Sequence, residues 1–309
     1  MTDKKALVTG GAGFIGSHLV DRLVQDGSRV AVVDNLATGR RENVHPSALF
    51  HCVDLRAPDL AEVFGKERPQ VVFHLAAQTS VVRSVEEPAE DARNNILGSI
   101  NLLEQCRRFG VERFIYSSTG GALYGEPEKL PCAETHPVRP LSPYGASKYA
   151  VEIYVHYFGR LAGFRYTILR YGNVYGPRQD PHGEAGVIAM FAKRMLEGRE
   201  VVIFGDGNQE RDFVYVSDVV EANVKTLEQE ENESYNIGTG TGTSVNTVFE
   251  RLAQIVNYDK PPRYEPPRPG EVYKIYLDVR KARRSLGWVA EVDLEAGVRL
   301  TVKHLRGAC

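Results

Sequence analysis

The sequence predicts an α/β protein: a doubly wound parallel sheet followed by a smaller mixed α/β domain at the C-terminal end. Short apolar runs alternate with helical patterns through the first half of the chain. A glycine-rich turn joins the first such run to the first helix. After Asn173 the alternation loosens into short strands, helices and a proline–glycine cluster over residues 261–270.

Ala6, Leu7 and Val8 read as a buried strand, and residues 17–25 as a helix. Between them Gly10, Gly13 and Gly16 recur at three-residue spacing, and Gly11-x-Gly13-x-x-Gly16 fits as well. Strand, glycine turn and helix present backbone N–H groups and a helix N-terminus to a pyrophosphate. Glycine serves because a Cβ would block the turn or the phosphates. The bland alternative is a βα turn with no ligand. Arg29 to Val33 read as a second strand ending at Asp34. An acidic residue about 20 positions past the glycines binds a ribose 2′-hydroxyl and repels a 2′-phosphate. The nearest arginines are Arg40 and Arg41, so the expected cofactor is NAD rather than NADP. Otherwise Asp34 is a strand-end turn residue beside Asn35.

Residues 50–53 form the expected third strand, ending at Asp54 and Leu55. Asp54 either touches the adenine or caps a helix over 57–64. Residues 70–75 are the fourth strand; small Ala76 and Ala77 then let the backbone lie beside a cofactor. His74, inside that strand, reads as a core histidine. Residues 90–109 read as one long helix with Ile96, Ile100, Leu103 and Cys106 along a stripe. Residues 113–117 are the fifth strand, breaking into Ser118-Thr119-Gly120-Gly121. Ligands bind outside the carboxyl ends of parallel strands. The glycine turn, Asp34, Asp54, Leu75 to Ala77 and Ser118-Thr119 all fall on that edge.

Tyr144 and Lys148 stand four apart at the start of a helix expected to reach Leu161, so they share one face. A free tyrosine has a pKa of about 10, and a nearby ammonium and a cationic nicotinamide lower it. A Ser118 or Thr119 hydroxyl, a phenol and an ammonium together suit alcohol oxidation coupled to hydride transfer. Residues 167–170 are the sixth strand. The expected domains are 1–172, with 212–238 returning to the main sheet, and 173–309. Arg211 and Arg268 in the second domain suit bidentate contact with a diphosphate, or are solvated surface residues.

The chain has 309 residues, 42% hydrophobic and 25% charged, with net charge −2. This composition excludes the basic footprint of nucleic-acid or membrane-surface binding. No apolar run is long enough to span a bilayer, and no secretory leader is legible. Cys52, Cys106, Cys132 and Cys309 lack metal-ligand spacing and read as reduced thiols of a cytoplasmic protein, with no metal expected.

Taken together, these segments resemble the extended short-chain dehydrogenase/reductase family over essentially the whole chain. The resemblance rests on Thr-Gly-Gly-Ala-Gly-Phe-Ile-Gly at 9–16, Val-Asp-Asn-Leu at 33–36, Ser-Ser-Thr-Gly-Gly-Ala-Leu-Tyr-Gly at 117–125 and Ser-Pro-Tyr-Gly-Ala-Ser-Lys at 142–148. Leu-Arg-Tyr-Gly-Asn-Val-Tyr-Gly-Pro at 169–177, Arg-Asp-Phe-Val-Tyr-Val at 211–216 and Arg-Pro-Gly-Glu at 268–271 extend it. Within the family the chain is similar to the shorter prokaryotic 4-epimerases of UDP-glucose and UDP-galactose.

The resemblance implies a Rossmann sheet and a UDP-sugar-binding C-terminal domain. It implies that Tyr144 takes the proton of the sugar 4-hydroxyl while hydride passes to a retained NAD. The 4-keto sugar then turns over in the site and is re-reduced. Lys148 lowers the tyrosine pKa, and Thr119, or Ser118, hydrogen-bonds the 4-oxygen. NAD is expected against Gly10, Gly13, Phe14, Ile15, Gly16, Asp34, Asn35, Asp54, Leu55, Leu75, Ala76, Ala77, Thr79, Asn94, Ser117, Tyr144, Lys148 and Tyr171. The UDP-sugar is expected against Thr119, Tyr144, Asn173, Val187, Phe204, Arg211, Arg268, Glu271 and Ile275. Ile275 stands where a bulky tyrosine is associated with excluding N-acetylated sugars and a small residue with admitting them; isoleucine is intermediate, so UDP-N-acetyl sugars stay open as substrates. UDP-glucuronate stays open because its 4-epimerases need the same triple and differ only in sugar contacts. Related 4,6-dehydratases and decarboxylases need a carboxylate just after the Ser/Thr, where this chain has Gly120 and Gly121. A non-catalytic sensor typically loses the tyrosine or lysine kept here. The resemblance also implies a homodimer through a four-helix interface of residues 90–109 and 149–161.

Overall fold

The computed structural model describes residues 4–181, 186–268 and 272–307. Among the described residues, seven strands form the main sheet. They are β1 (Lys5–Thr9), β2 (Arg29–Asp34), β3 (Leu49–Cys52), β4 (Val71–His74), β5 (Arg113–Thr119), β6 (Arg165–Tyr171) and the strand Glu233–Ile237. From that last strand the order is β6-β5-β4-β1-β2-β3. Pairing is parallel from β5 through β4, β1 and β2 to β3. The order reverses between β1 and β4, whose carboxyl ends flank the crevice where such sheets take ligands. Helices cover both faces, which is why the strands read as unbroken apolar runs. On one side Leu7, Val72 and Phe114 pack with Leu102, Leu103, Val151 and Val155, all fully buried.

Three elements depart from the sequence expectation. The first helix spans Phe14–Gln25, three residues earlier than expected, because Gly13 takes the N-cap position and Gly16 lies within the first turn. The stretch expected as one helix over 90–109 is three pieces: Pro88–Ala92, a π turn Arg93–Leu97 and Gly98–Phe109. Asp91 and Asn95 turn their polar groups inward to Gln78 and Ser147. The wider turn then re-aims the following stripe, so that Leu102, Leu103 and Cys106 meet the core. The helix over Asp54's expected reach begins only at Leu60, so Asp54 caps nothing.

The helix Pro143–Ala162 starts cleanly. Ser142 accepts the Gly145 N–H at its N-cap, and proline occupies the first turn. Gly163, at φ 73°, ends it.

Among the described residues the chain divides into two compact units. The first holds everything up to Thr119, with Ser142–Arg170 and Val220–Tyr235. The second holds Gly120–Leu141, Tyr171–Val219 and the chain from Asn236 onward. Residues 120–141 therefore group with the C-terminal part rather than with the sheet that precedes them. Cys132 explains this: its N–H donates to the Tyr276 carbonyl at 2.8 Å, and its own carbonyl accepts the Asp278 N–H at 2.8 Å.

The second unit is built from small sheets. Asn173–Tyr175 pairs in parallel with Phe213–Tyr215. Glu210–Arg211 lies between Thr243–Ser244 and Lys274–Ile275. Val202–Phe204 pairs with Arg263–Glu265.

Candidate active site

In the first unit the turn after β1 forms a tight cradle. The Gly10 N–H donates to the Val33 carbonyl at 2.9 Å. Gly10 has φ +71°, and a Cβ there would sit 2.7 Å from the Ala76 nitrogen. A Cβ on Gly16 would run into the Gly10 carbonyl oxygen. Gly13 caps the helix with no side chain, leaving its positive end open to an anion.

Asp34 is buried and does two things. Its Oδ2 accepts the Ala12 N–H at 3.0 Å, and Oδ1 accepts the Leu36 N–H at 2.8 Å. It is thus both a turn residue and a carboxylate beside the glycine loop. The Arg41 guanidinium stacks 4.5 Å from the Phe50 ring centroid. A cradle that a Cβ would fill, an open helix N-terminus and a carboxylate at the second strand end together fit NAD.

Asn35 donates to Asp54 at 3.0 Å, and Arg56 pairs with Asp54 at 2.9 Å. Hydrogen bonds from the Arg56 guanidinium pull the Asp54 carboxyl down to about 2. Leu75, Ala76 and Ala77 follow β4 half-buried, and Leu55 is half-buried beside Asp54. Thr79 is exposed, and Asn94 lies on the π turn. Ser117 and Tyr171 are buried near the carboxyl ends of β5 and β6.

His74 is a satisfied core residue. Thr9 Oγ1 accepts the Ala76 N–H and donates to Nδ1 at 2.8 Å. Ser99 Oγ donates to the Asn95 carbonyl and so accepts Nε2–H at 2.7 Å. These partners assign the Nε2–H tautomer. Burial, helped by the Lys148 charge, drives the pKa down to about 3.

The groups expected to handle the proton lie at the end of β5 and the start of the Pro143–Ala162 helix. Thr119 hydrogen-bonds the Tyr144 phenol. Ser118 instead donates to Glu152 Oε1 at 2.6 Å. The two hydroxyls therefore have different partners. Burial, reinforced by Asp91, pushes Tyr144 up to about 12, and the Thr119 hydrogen bond opposes it. Lys148 is buried with Nζ 4.4 Å from the Tyr116 ring centroid. Burial pulls it down to about 7, against the carboxylates of Glu152 and Asp91. At Tyr144 desolvation outweighs the one opposing influence, the Thr119 hydrogen bond.

In the second unit Lys274–Ile275 runs in register with Glu210–Arg211, setting buried Ile275 opposite Arg211. Arg211 Nη1 donates to the Glu210 and Tyr273 carbonyls. The Arg268 guanidinium stacks 4.0 Å from the Phe204 ring centroid. The Asn173 N–H donates to the Asp212 carbonyl at 2.6 Å, and Val187 opens the helix Val187–Leu196. Glu271 lies outside the described residues.

Sequence reasoning passed over Asp91, Asn95 and the Glu152–Arg170 pair. Glu152 was detectable: it stands one turn past Lys148, on the same face. Asp91 and Asn95 were hidden by the expectation of one regular amphipathic helix.

Residues 6–238 match the NAD dependent epimerase/dehydratase family. A Methanocaldococcus jannaschii protein named putative UDP-glucose 4-epimerase is 50% identical over 300 residues, covering 97% of this chain and 98% of its own. The crystal structure of a Thermotoga maritima UDP-glucose 4-epimerase with UDP-glucose matches with TM-score 0.97 at 54% identity, covering 99% of both chains. A Thermus thermophilus UDP-glucose 4-epimerase, solved in complex with NAD, matches with TM-score 0.93 at 49% identity, covering 98% of this chain and 99% of that one.

Proposed function

Because the chain belongs to the NAD dependent epimerase/dehydratase family, we propose that it interconverts UDP-galactose and UDP-glucose with NAD as a retained cofactor. The carrying observation is the Tyr144 phenol, hydrogen-bonded by Thr119 and four residues before buried Lys148. NAD+, when bound, accepts a hydride from sugar C4 and returns it. Tyr144, as phenolate, takes the 4-hydroxyl proton as the hydride leaves C4. It gives that proton back when the hydride returns to the opposite face, so the reaction is balanced within one turnover. Lys148, as an ammonium, stabilises the phenolate. Thr119 hydrogen-bonds the 4-oxygen; the bond from Ser118 to Glu152 favours Thr119 in this role.

The first unit holds NAD through Gly10, Gly13, Phe14, Ile15, Gly16 and Asp34. In the second unit Arg211 and Arg268 grip the diphosphate, with Phe204 beneath Arg268. Ile275 shapes the sugar pocket.

The test is 4-epimerisation without added NAD, with UDP-galactose, UDP-N-acetylgalactosamine and UDP-galacturonate run side by side. Turnover of UDP-galactose is expected, and the relative rate of the N-acetyl sugar reads what Ile275 permits. Turnover of the galacturonate alone makes this a uronate 4-epimerase. No turnover, even with NAD supplied, sinks the reading in favour of a non-catalytic sensor.

The same proposal takes the chain as a homodimer. Ile153, Tyr154, Tyr157 and Leu161 are exposed on the helix Pro143–Ala162, and Leu97 is exposed on the π turn. These, rather than the buried Leu103 and Cys106, are the faces available for the four-helix contact. Mass measurement in solution decides it, a monomer at working concentration ending the idea. No helix among the described residues is long and apolar enough to cross a membrane. Free Cys52, Cys106 and Cys132 support a reducing, cytoplasmic location.

A further inference from the structure

Two carboxylates act on Lys148 and their surroundings differ. Glu152, one turn further along the same helix, is gripped by Arg170, Nε to Oε1 at 3.0 Å and Nη2 to Oε2 at 2.6 Å. It also accepts the Ser118 hydroxyl. Its charge is matched by a guanidinium.

Asp91, on the short helix Pro88–Ala92, has no such partner. It is 2% exposed. Its Oδ1 accepts the Gln78 side-chain amide at 3.0 Å and the Asn95 amide at 3.1 Å, both neutral donors. Its Oδ2 is buried with no hydrogen-bond partner among the described residues. The Asn95 amide also reaches Ser147 Oγ at 3.2 Å, and Ser147 donates to the Tyr144 carbonyl at 3.0 Å. A chain of neutral groups thus ties Asp91 to the turn that carries Tyr144.

Asp91's charge acts on Tyr144 and Lys148 of the Pro143–Ala162 helix and on Tyr116 of β5. Lys148 in turn meets the charge of Glu152 on its own helix and acts on His74 of β4, and Glu152 pairs with Arg170 of β6. Arg170 is held by Glu152, and His74 is neutral. On its own segment Arg83 pairs with Glu87, and Arg93 with Glu90, at exposed positions. Among the described residues, Lys148 is the cation left for the charge of Asp91.

We propose that Asp91 is a positioning residue for proton transfer: its buried, unneutralised charge keeps Lys148 an ammonium and sets the pH range in which Tyr144 and Lys148 share one proton. It touches neither substrate nor reacting atoms. Burial alone drives a lysine towards neutrality, and an unpaired anion nearby opposes that. The same anion resists the phenolate, so it raises both proton losses of the coupled pair. Removing it lowers both. This inference rests on the epimerase reading, in which the pair works with one proton on it.

The test is Asp91→Asn in the NAD-loaded enzyme, with kcat and kcat/KM for UDP-galactose followed across pH. Both limbs of the profile are expected to move to lower pH by about one unit, while Asp91→Glu stays near the wild type. Limbs that stay in place while kcat falls would make Asp91 structural only. A second readout needs no turnover: tyrosinate absorbance is titrated with and without the substitution, using Tyr144→Phe to identify the signal. A downward shift supports the proposal and an unchanged titration overturns it, even if no UDP-sugar is turned over and the epimerase reading itself fails. Should Asp91→Asn not fold, Asp91→Ser takes the same titration.

Discussion

The two units hold the side chains proposed to act in them in different ways. In the first, each group stands at a strand end or helix start and is fixed by a hydrogen-bond partner: Asp34 by two backbone N–H groups, Ser118 by Glu152, Thr119 by Tyr144. In the second, Arg211, Ile275 and Phe204 sit on strands of two or three residues. Proton and hydride transfer demand fixed geometry, because small misplacements cost large factors in rate. Gripping a diphosphate with long guanidinium side chains demands less, because the fork supplies its own geometry. The difference is one between positioning by scaffold and positioning by side chain.

Tyr144→Phe tests this most severely. It is expected to lower kcat by roughly 10²–10⁴-fold, the usual weight of a general acid–base, while calorimetry still finds UDP and NAD bound. Loss of UDP binding in that variant would break the division of labour. Next in size is Gly10→Ala. A side chain at φ +71° against the Ala76 nitrogen costs about 1–3 kcal/mol of strain, so NAD retention should fall while UDP affinity holds. Arg211→Ala should do the reverse: KM for UDP-galactose rises about tenfold, the worth of a lost charge-assisted hydrogen bond, with NAD content unchanged.

The smallest effect is on acid stability. His74 in the first unit is held near 3, far below its ordinary value. Its neutral form is lost more easily from the unfolded chain, so stability falls as pH drops from about 6.5 towards 3. Asp212 in the second unit accepts N–H groups of Thr239, Gly240 and Leu277, yet burial raises its pKa. A raised carboxyl works the other way: the folded state gains relative stability as pH falls through that pKa. The chain's one tryptophan, Trp288, is buried in the second unit. On acidification, far-UV circular dichroism should therefore fall before Trp288 fluorescence changes. Coincident transitions would remove this part of the contrast, and His74→Asn should shrink the gap.

The first unit was also the more legible in sequence. Buried parallel strands announce themselves as apolar runs, and the glycine spacing and the Tyr144–Lys148 interval follow from backbone geometry. Legibility ended where a polar residue is buried for a tertiary reason. Asp91 and Asn95 look like the solvent face of a helix until Gln78 and Ser147 are brought beside them. The first helix starts at Phe14 rather than at residue 17, with Gly16 inside its first turn as a residue without a Cβ. In the second unit, strands of two residues are too short to carry any period, and neither the Ile275–Arg211 register nor the Arg268–Phe204 stack could be read in advance.

The π turn at Arg93–Leu97 works as a phase shifter. One residue more than an α-helical turn rotates all that follows by about 100°. Upstream, that offset lets Asp91 face the Pro143–Ala162 helix; downstream, it lets Leu102, Leu103 and Cys106 face the sheet. Deleting a single residue there would leave every side chain's chemistry intact yet force the protein to choose which of the two faces keeps its address.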